Sequence, residues 1–549
     1  MSLLPVLPTA PASASLRFLP MRDGALMIEL ADLAETLALF DALQAANLPG
    51  ILEIIPAART LLLRFDPSML RASDIEREAC ARAGQGRKSE AGVLVEIPVF
   101  YDGEDLAEVA DLVGISPEEV IQRHTQAEYT VAFTGFAPGF AYLSAGDAGL
   151  TVPRRTSPRT LVPAGAVGLA GEFSGIYPKA SPGGWQLIGR TPLAMFDLAR
   201  EPAALLIPGA RVRFRDMAKE PGASVVVPVA ASEITSSAQD RRQAALEVLS
   251  TGLPALVQDL GRSGLAGQGI SQSGAGDRGS LKAANRLVGN RPDAPALELA
   301  PTEFRFKALK RAVIALTGAA ERIEIAPETG AKRVFAANRP VALERGDVVR
   351  IPAPQRGMRS YLALRGGLDV PMVLGSAASD TLAQLGPEPV VAGVRLCAGP
   401  LPREAVADAP YLPATVLPAA GEVVALEVVL GPRTDWFTDA ALADFLGQDW
   451  EVTALASRVG LRLAGPELTR ATGGELPSEG TLRGAIQVPA NGQPVLFLAD
   501  HPLTGGYPVI ANVVSHHLDL AGQIPPGARI RFVAARTFKD IKPCSGAPT

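Results

Sequence analysis

The stretch GGWQLIG, residues 183–189, places two glycines directly before a tryptophan, and a related stretch, GGYPVIA, recurs at residues 505–511. Both lie between the same two flanking segments, which are VPAG at 162–165 and PGARVRF at 208–214 in the first half, and VPANG at 488–492 and PGARIRF at 526–532 in the second. Three matches in the same order with similar spacing indicate an internal repeat. The sequence therefore predicts one copy of a common β-rich domain in each half of the chain.

The glycine pairs of the repeat are candidates for both structure and function. Glycine occurs where the backbone turns at positive φ or passes close to another group. A barrel corner needs glycine for tight bending, and a bare backbone also lets a ligand approach. Both interpretations remain open, and the candidate substrate-binding residues therefore include Gly183, Gly184, Gly505 and Gly506.

Composition limits the class of protein. The 549 residues carry 52 basic and 57 acidic side chains, a net charge of −5 without a basic block, so we expect neither nucleic acid nor a membrane surface as partner. No stretch reaches the roughly 18 apolar residues of a spanning helix. The 54 glycines and 47 prolines favour many short strands. The three cysteines lie far apart without metal-ligand spacing, so we expect no metal site and a cytoplasmic location.

Periodicity and turn residues divide the chain into two large units. Residues 15–216 begin with a small α/β unit, in which ALMIEL and TLLLRFDP are predicted strands around the helix DLAETLALFDALQAAN. Two short helices are predicted over 103–127, with Ser116 capping the second and Pro117 at its first position. Residues 217–243 lose periodicity and are predicted to be a linker. In the second unit, 244–535, the clearest helices are SLKAANRLVG (280–289) and DAALADFLG (439–447), and 401–414 divides the unit in two.

Two of the four histidines lie near features of the repeat. His124 ends a predicted helix before the loop FTGFAPGFAYL (133–143), and His501 lies four residues before the second glycine pair. An imidazole titrates near neutrality and can act as acid or base, so both are candidate catalytic residues. We prefer His501 as the proton donor and expect His124 to brace the 133–143 loop. Two structural histidines on separate barrels are the alternative.

Polar side chains on glycine-rich loops supply the other candidates. Arg154 and Arg159 precede the VPAG corner and suit a carboxylate clamp, although a solvated loop would look the same. The segment after residue 256 is rich in glycine and in hydrogen-bonding side chains, which predicts a polar pocket or polar turns. Its candidates are Gln258, Asp259 and Arg262 for substrate binding and Asp277 for catalysis. If the two halves face each other, these residues and both histidines border one composite site.

The longest motifs carry a family resemblance. The stretches GFAPGFAYL, PRTLVPAGAVGLAGEFSGIYPKASPGGWQLIGRTP, VQDLGRSG, ANRLVGN and SEGTLRGAIQVPANGQPVLFLADHPLTGGYP resemble the allophanate hydrolase subunit 1 and 2 family. This group includes the B and C subunits of bacterial 5-oxoprolinase and is similar to the carboxyltransferase domains of urea carboxylase. The resemblance implies a mainly β fold, with a small α/β N-terminal domain and duplicated cyclophilin-like β-barrels. Residues 15–216 then correspond to the B subunit (carboxyltransferase domains C and D) and 244–535 to the C subunit (domains A and B).

The resemblance implies three alternative functions. The first is the fused accessory subunits of an ATP-dependent 5-oxoprolinase, an amide (lactam) hydrolase component that needs a separate protein of the A-subunit type. The sequence has no G-x-x-x-x-G-K-[ST] phosphate loop, so ATP, with magnesium, is expected to act in the complex with that partner. The second is the carboxyltransferase of a biotin-dependent urea or amide carboxylase, with biotin supplied in trans. The third is a histidine-kinase inhibitor fused to its antagonist. A small-molecule amide substrate is expected for the first two functions. A homo-oligomer is a further expected option for the chain.

Overall fold

A computed structural model describes residues 16–84, 92–145, 149–219, 244–407, 409–413, 415–474 and 476–536. The chain begins with a four-stranded antiparallel sheet of order β1-β2-β4-β3. Its elements are β1 (Arg17–Arg22), β2 (Ala25–Glu29), α1 (Leu33–Ala46), β3 (Ile51–Pro56), β4 (Thr60–Phe65) and α2 (Ala72–Arg82). The predicted helix begins after Asp32, which accepts a hydrogen bond from the Glu35 amide, and ends at Asn47, whose φ is 42°.

The first barrel is a curled seven-stranded sheet of order β12-β9-β10-β7-β6-β13-β5. A bridge between Phe100 and Arg190 joins its two ends. Ser116 caps α4 and Pro117 is its first residue, as the sequence predicts. The elements of this part are β5 (Leu94–Val99), α3 (Leu106–Val113), α4 (Pro117–Gln126), β6 (Glu128–Thr134), β7 (Ala141–Ser144), β8 (Arg159–Val162), β9 (Ala166–Ala170), β10 (Phe173–Ile176), β11 (Ser181–Gly183), β12 (Gln186–Arg190) and β13 (Arg211–Asp216).

The second half begins with two sheets, of order β20-β19-β22-β17-β14-β24 and β15-β16-β23-β18-β21, which share an aliphatic core. The helix predicted at 280–289 is α5, which begins two residues earlier. The elements are β14 (Leu246–Thr251), β15 (Leu256–Gln258), α5 (Arg278–Leu287), β16 (Ala296–Leu299), β17 (Phe304–Ala308), β18 (Ala312–Gly318), β19 (Arg322–Ala326), β20 (Arg333–Ala336), β21 (Pro340–Leu343), β22 (Val348–Ile351), β23 (Ser360–Leu364) and β24 (Arg395–Leu396).

The second barrel is closed, with strand order β25-β32-β29-β30-β27-β26-β33. Its helix α6 spans the nine residues predicted from DAALADFLG. The elements are β25 (Val423–Leu430), α6 (Asp439–Gly447), β26 (Asp449–Val452), β27 (Gly460–Ala464), β28 (Glu479–Gly480), β29 (Ala485–Gln487), β30 (Val495–Phe497), β31 (Thr504–Gly505), β32 (Val509–Val513), α7 (Leu518–Ala521) and β33 (Arg529–Arg536).

The two barrels share one topology. β13, which contains most of PGARVRF, runs parallel to β5 and antiparallel to β6. β33, from PGARIRF, runs parallel to β25 and antiparallel to β26 in the same way. Each barrel also carries a two-stranded ribbon at its glycine pair, β8–β11 in the first and β28–β31 in the second. The predicted fold class, mainly β with a small α/β unit and duplicated cyclophilin-like barrels, is confirmed.

No helix within the described ranges combines the length and the apolar character needed to cross a bilayer.

Candidate functional site

The N-terminal sheet packs between its own helices and the second half of the chain. Side chains on a strand alternate between its two faces. Phe18 and Ile28 therefore pack with the helices, whereas Leu19 and Met27 belong to a cluster with residues of the second half. The members from the second half are Ala266, Leu482 and Leu503. Polar residues that flank this cluster are consequently buried at the contact between the two halves.

Four arginines converge on a small cavity at this contact. Arg22 and Arg64 come from the N-terminal sheet, and Arg278 and Arg483 from the second half. The cavity measures about 50 Å³ and is also lined by Ser271, Gln272, Ser273, Thr481 and His501. We call it the arginine pocket. Among the described residues, its walls contain one carboxylate, Glu53, which pairs with Arg64 at 3.0 Å.

Burial and the crowding of like charges lower the pKa values of side chains in the arginine pocket. Burial, together with the positive charges of Arg64 and Arg483, lowers the pKa of Arg22 to about 10. Burial and the same two neighbours lower the pKa of Arg278 to about 9. The pKa of His501 falls to about 4, mainly through burial and also through the charges of Arg64 and Arg22. His501 is therefore neutral at pH 7, and its Nδ1 lies 2.9 Å from the Pro502 carbonyl. This environment differs from that of the free imidazole, with a pKa near 6.5, on which the prediction of His501 as proton donor rests.

A buried carboxylate adjoins the arginine pocket. Asp500 accepts hydrogen bonds from the Ser273 hydroxyl (2.6 Å) and from Thr381, through its amide (2.9 Å) and hydroxyl (2.7 Å). Burial favours the protonated form of Asp500, but Arg458, at 2.9 Å, outweighs it and holds the pKa below its usual value. Asp500 is therefore ionised and ties together three separate loops of the second half.

Asp380 and Arg262 hold buried polar atoms that have no partner among the described residues. Asp380 Oδ1 accepts hydrogen bonds from the amides of Leu382 (3.0 Å) and Ala383 (2.8 Å), but Oδ2 is unpaired. Arg262 donates from Nη2 to the Ala378 carbonyl at 2.5 Å, while its Nε and Nη1 are buried and unpaired. Unpaired buried polar atoms are rare in folded proteins, and they call for an explanation such as a ligand.

The charge of Asp380 is tuned by its surroundings. Burial and the nearby charge of Asp500 raise the pKa of Asp380 to about 6, against an attractive effect of Arg262. A carboxyl group with such a pKa exchanges protons close to neutrality and can serve as a general base or acid. The first half reaches this group through Lys179, whose ammonium donates to the Leu382 carbonyl at 2.8 Å. We call Arg262, Asp380 and Lys179 the carboxyl centre.

Residues with strained backbone lie beside the arginine pocket and beside the carboxyl centre. Ser273 (φ 55°), which binds Asp500, and Gln384 (φ 58°), which follows the Lys179 contact, adopt positive φ without being glycine. Phe136 (φ 63°) does so in the 133–143 loop of the first half. Such conformations cost about 1–3 kcal/mol each and cluster at functional sites. Their positions therefore agree with a site built at the contact between the two halves.

The glycine pairs serve close packing rather than tight turning. None of the four glycines has a positive φ. A Cβ on Gly183 would overlap the Tyr177 hydroxyl, and one on Gly505 would lie 2.6 Å from Gln487 Nε2. Gly184 and Gly506 have more room, since a Cβ on them would approach other atoms no closer than 3.7 and 3.4 Å. Close approach of neighbouring atoms is the physical reason for glycine at the first position of each pair.

Arg154 of the first half reaches the second glycine pair. Its Nη1 lies 3.7 Å from the position that a Cβ on Gly506 would take. Gly135, in the 133–143 loop, packs directly against the Thr504 side chain. Hydrogen bonds from Ser478 and Thr504 moderate the raised pKa of the buried Tyr142 in the same region. Arg154 therefore faces the second half, as a composite site would require.

Arg159 pairs with carboxylates of its own half, and its Nη1 is buried without a partner among the described residues. It pairs with the buried Asp105 at 2.7 Å and with Glu104 at 3.2 Å, and these hydrogen bonds raise its pKa. Arg155 pairs with the same Asp105 at 2.8 Å, and this carboxylate also accepts from the Leu187 amide. Arg155 and Arg159 thus fasten helix α3 to the first barrel.

His124 lies inside the first barrel, away from the composite site. Its ring bonds with the Tyr101 hydroxyl (2.7 Å) and the Ser174 hydroxyl (2.9 Å) and stacks on Phe214. Burial lowers the pKa of His124 to about 3, so the ring is neutral. These contacts brace helix α4 against strands β10 and β13, not the 133–143 loop as predicted.

The remaining predicted residues hold the loops in place. Asp277 caps α5 by accepting from the Ser280 amide at 2.8 Å, which is a structural role, although the next residue, Arg278, lines the arginine pocket. Asp259 accepts from the Ser376 hydroxyl (2.6 Å) and the Ala377 amide (2.7 Å). Gln258 donates to the Ser379 carbonyl at 2.8 Å. Asp259 and Gln258 therefore position the loop that carries Asp380.

The sequence reasoning missed Asp380, Lys179 and the four arginines of the pocket. Asp380 lies in the segment GSAASDTLAQLG (375–386), whose small and polar residues mark a loop and were a usable signal. No local pattern distinguishes Arg22 or Arg64 from the other arginines on strands, because their contacts with the second half, to Arg483 and Gln272, lie hundreds of residues away along the chain.

Comparison with known proteins matches both halves of the chain. The family model "Carboxyltransferase domain, subdomain C and D" matches residues 16–206, and "Carboxyltransferase domain, subdomain A and B" matches 268–534. The chain is 44% identical to the B subunit of 5-oxoprolinase from Escherichia coli O157:H7 over 179 residues, which are 32% of this chain and 81% of that protein. It is 36% identical to the C subunit of 5-oxoprolinase from Escherichia coli K12 over 303 residues, 54% of this chain and 93% of that protein.

Two further comparisons concern a longer protein and a solved structure of similar length. A urea amidolyase of Lachancea kluyveri is 33% identical over 331 residues, but these are 55% of this chain and only 18% of that protein. The crystal structure of TTHA0988 superposes with a TM-score of 0.79 at 36% identity and covers 93% of this chain and 99% of that one. Both halves and their arrangement thus recur together in another chain. The protein therefore belongs to the carboxyltransferase-domain family, with subdomains C and D in its first half and subdomains A and B in its second.

Proposed function

We propose that the chain is the fused B and C accessory part of an ATP-dependent 5-oxoprolinase and acts with a separate protein of the A-subunit type. The first half is similar to the B subunit of that enzyme and the second half to its C subunit, and each match covers most of the relative. The substrate is then a small lactam, 5-oxoproline, and the product is glutamate.

The observation that carries this proposal is the composite carboxyl centre. Lys179 of the first half contacts the loop that holds Asp380 of the second half. Beside it, Asp380 Oδ2 and two nitrogens of Arg262 are buried without partners among the described residues. Because both halves are needed to complete this arrangement, fusion or tight association of the two is a functional requirement.

The groups of the carboxyl centre suit hydrolysis of an activated amide. In the proposed reaction the lactam carbonyl oxygen takes the terminal phosphoryl group of ATP, and ADP leaves. A first water adds to the activated carbon and the C–N bond breaks, which gives glutamyl phosphate. A second water then releases inorganic phosphate and glutamate. Asp380 is ionised above about pH 6 and can accept a proton from the attacking water. The Nε and Nη1 hydrogens of Arg262 can stabilise negative charge that develops on oxygen.

ATP and magnesium are proposed to bind in the complex with the partner protein. This follows from the sequence, which has no G-x-x-x-x-G-K-[ST] phosphate loop. The cytoplasmic location and self-association remain predictions.

Reconstitution tests the proposal. The purified chain is mixed with a homologue of the 5-oxoprolinase A-type partner, ATP, magnesium and 5-oxoproline, and glutamate and ADP are measured. We expect turnover only in the mixture, its loss in Asp380→Asn, and its retention in Asp444→Asn, which changes an exposed carboxylate on α6. Turnover by the chain alone, or none in any mixture, contradicts the proposal.

A second candidate function is the carboxyltransferase of a biotin-dependent urea or amide carboxylase. The similarity to the urea amidolyase of Lachancea kluyveri favours it. In that case activity requires a biotinylated carrier and is blocked by avidin, whereas the 5-oxoprolinase reaction is indifferent to avidin. The same reconstitution with and without avidin separates the two functions.

A further inference from the structure

The arginine pocket is separate from the carboxyl centre and is not used by the proposed hydrolysis. We propose that it is a binding site for a small oxyanion group, a phosphate or a carboxylate, held between the N-terminal sheet and the second half of the chain. The inference concerns the isolated chain and does not depend on the partner protein.

The charge balance of the pocket is the first argument. The side chains of Arg22, Arg64, Arg278 and Arg483 share its described walls with a single carboxylate, Glu53. Asp519 lies outside the walls and pairs with Arg483 at 3.3 Å, but its side chain is 40% exposed. Asp23 also attracts Arg22. The carboxylates that face the pocket do not neutralise four guanidinium groups, so bringing the two halves together concentrates positive charge in a partly closed space.

Unused hydrogen-bond donors are the second argument. Arg483 is only 7% exposed, and its Nε is buried without a partner among the described residues. The Nε of Arg278 is in the same state. The other bonds of these side chains go largely to backbone carbonyls, Arg278 Nη2 to Ser273 (3.2 Å) and Arg483 Nη2 to Gly276 (2.6 Å). Those bonds fix the direction of each guanidinium without neutralising it, and the carboxylate that pairs with Arg483, Asp519, is partly exposed. Positive charge therefore remains available for an anion.

The size of the pocket limits the ligand. About 10–15 Å³ of free volume suffices for one water, and the cavity measures about 50 Å³. It therefore has room for a group of three or four oxygens but not for a nucleotide or a whole amino acid. Neutral His501 and the Ser271 and Thr481 hydroxyls lie in the same walls and add uncharged hydrogen-bonding groups.

Anion binding by the purified chain tests this inference. Inorganic phosphate, bicarbonate and acetate are titrated separately at constant ionic strength, with calorimetry and melting temperature as readouts. The variants are Arg278→Gln and Arg483→Gln, and the control is Arg311→Gln, whose side chain is 84% exposed and pairs with Glu344. Loss of one charge-assisted bond is expected to weaken binding about 10- to 100-fold.

Saturable binding of at least one anion, weakened in both variants and unchanged in Arg311→Gln, supports the site. Stronger binding of phosphate than of acetate identifies a phosphate group as the ligand, and the reverse order identifies a carboxylate. Because Arg278 repels its neighbours, Arg278→Gln is also expected to melt no lower than wild type in anion-free buffer. Two results overturn the proposal. The first is a lower melting temperature for Arg278→Gln together with equal anion effects on wild type and on all three variants. The second is the absence of any saturable binding.

Discussion

Replacement of Asp380 by asparagine is expected to stabilise the protein while it removes activity. The side-chain oxygen of the new asparagine can accept the same two backbone hydrogen bonds, from Leu382 and Ala383, that Asp380 Oδ1 accepts. The amide nitrogen then takes the place of Oδ2, which has no partner in the described structure. The substitution thus keeps the shape and the loop contacts, and changes mainly the charge.

The expected size follows from the ionisation of the carboxyl group. Folding raises the pKa of Asp380 from 3.8 to about 6, a difference of about 2 units. Each unit corresponds to about 1.4 kcal/mol, so ionised Asp380 costs the folded state about 3 kcal/mol at pH 7. The folded protein binds this proton more tightly than the unfolded chain, and the cost therefore disappears as the pH falls through about 6 toward 4.

The assay compares wild type, Asp380→Asn and the control Asp444→Asn by thermal unfolding at pH 7 and pH 4.5. We expect Asp380→Asn to melt several degrees above wild type at pH 7, with a much smaller difference at pH 4.5. Contributions from titrating groups that do not interact with Asp380 cancel in the difference. A destabilised Asp380→Asn, or a difference that does not depend on pH, would refute the reasoning that this carboxyl is held ionised against its environment.

Three further predictions concern particular side chains. Arg262→Lys is expected to reduce turnover of the reconstituted complex at least about 10-fold with little change in stability, because lysine cannot present both the Nε and Nη1 donors. Unchanged turnover would exclude Arg262 from the reaction. Arg159→Ala is expected to lower the free energy of unfolding by about 1–2 kcal/mol without changing KM, because the buried Asp105 loses one of its two arginine partners. A raised KM at unaltered melting temperature would instead support Arg159 as a substrate clamp. His124→Asn is expected to destabilise the first barrel and leave the pH–rate profile unchanged, since its pKa of about 3 keeps the ring neutral; a shifted profile would contradict the structural role.

The two barrels of the chain are similar in the pairing of their first and last strands. Both barrels join their last strand to the first in parallel and to the second in antiparallel pairing. The first half approaches the second glycine ribbon where Gly135 packs on Thr504 and Arg154 lies near Gly506. The two barrels therefore carry related corners, and the corner of the second barrel forms part of the surface between the halves.

Local sequence patterns determined the secondary structure and the duplication. Asp32 and Ser116 mark the starts of α1 and α4 because their side chains accept hydrogen bonds from the first helical amides. DAALADFLG has the bounds of α6. The matching of PGARVRF to PGARIRF correctly indicated two equivalent barrels. These features depend on residues within a few positions of one another, and a single sequence contains that information.

Only the tertiary structure decided which polar side chains share an environment. Arg64 reaches Gln272 across 208 residues, and Ser273 reaches Asp500 across 227. The sequence marked 257–290 as a polar segment with Asp277 as a catalytic candidate, and it did not single out Asp380. In the fold the Asp277 side chain caps a helix. A carboxyl group acquires its pKa from burial and from charges brought close by folding, and neither quantity is contained in the residue's own neighbourhood along the chain. The same reason applies to His501, which becomes neutral because folding buries it and the N-terminal sheet places Arg22 and Arg64 beside it.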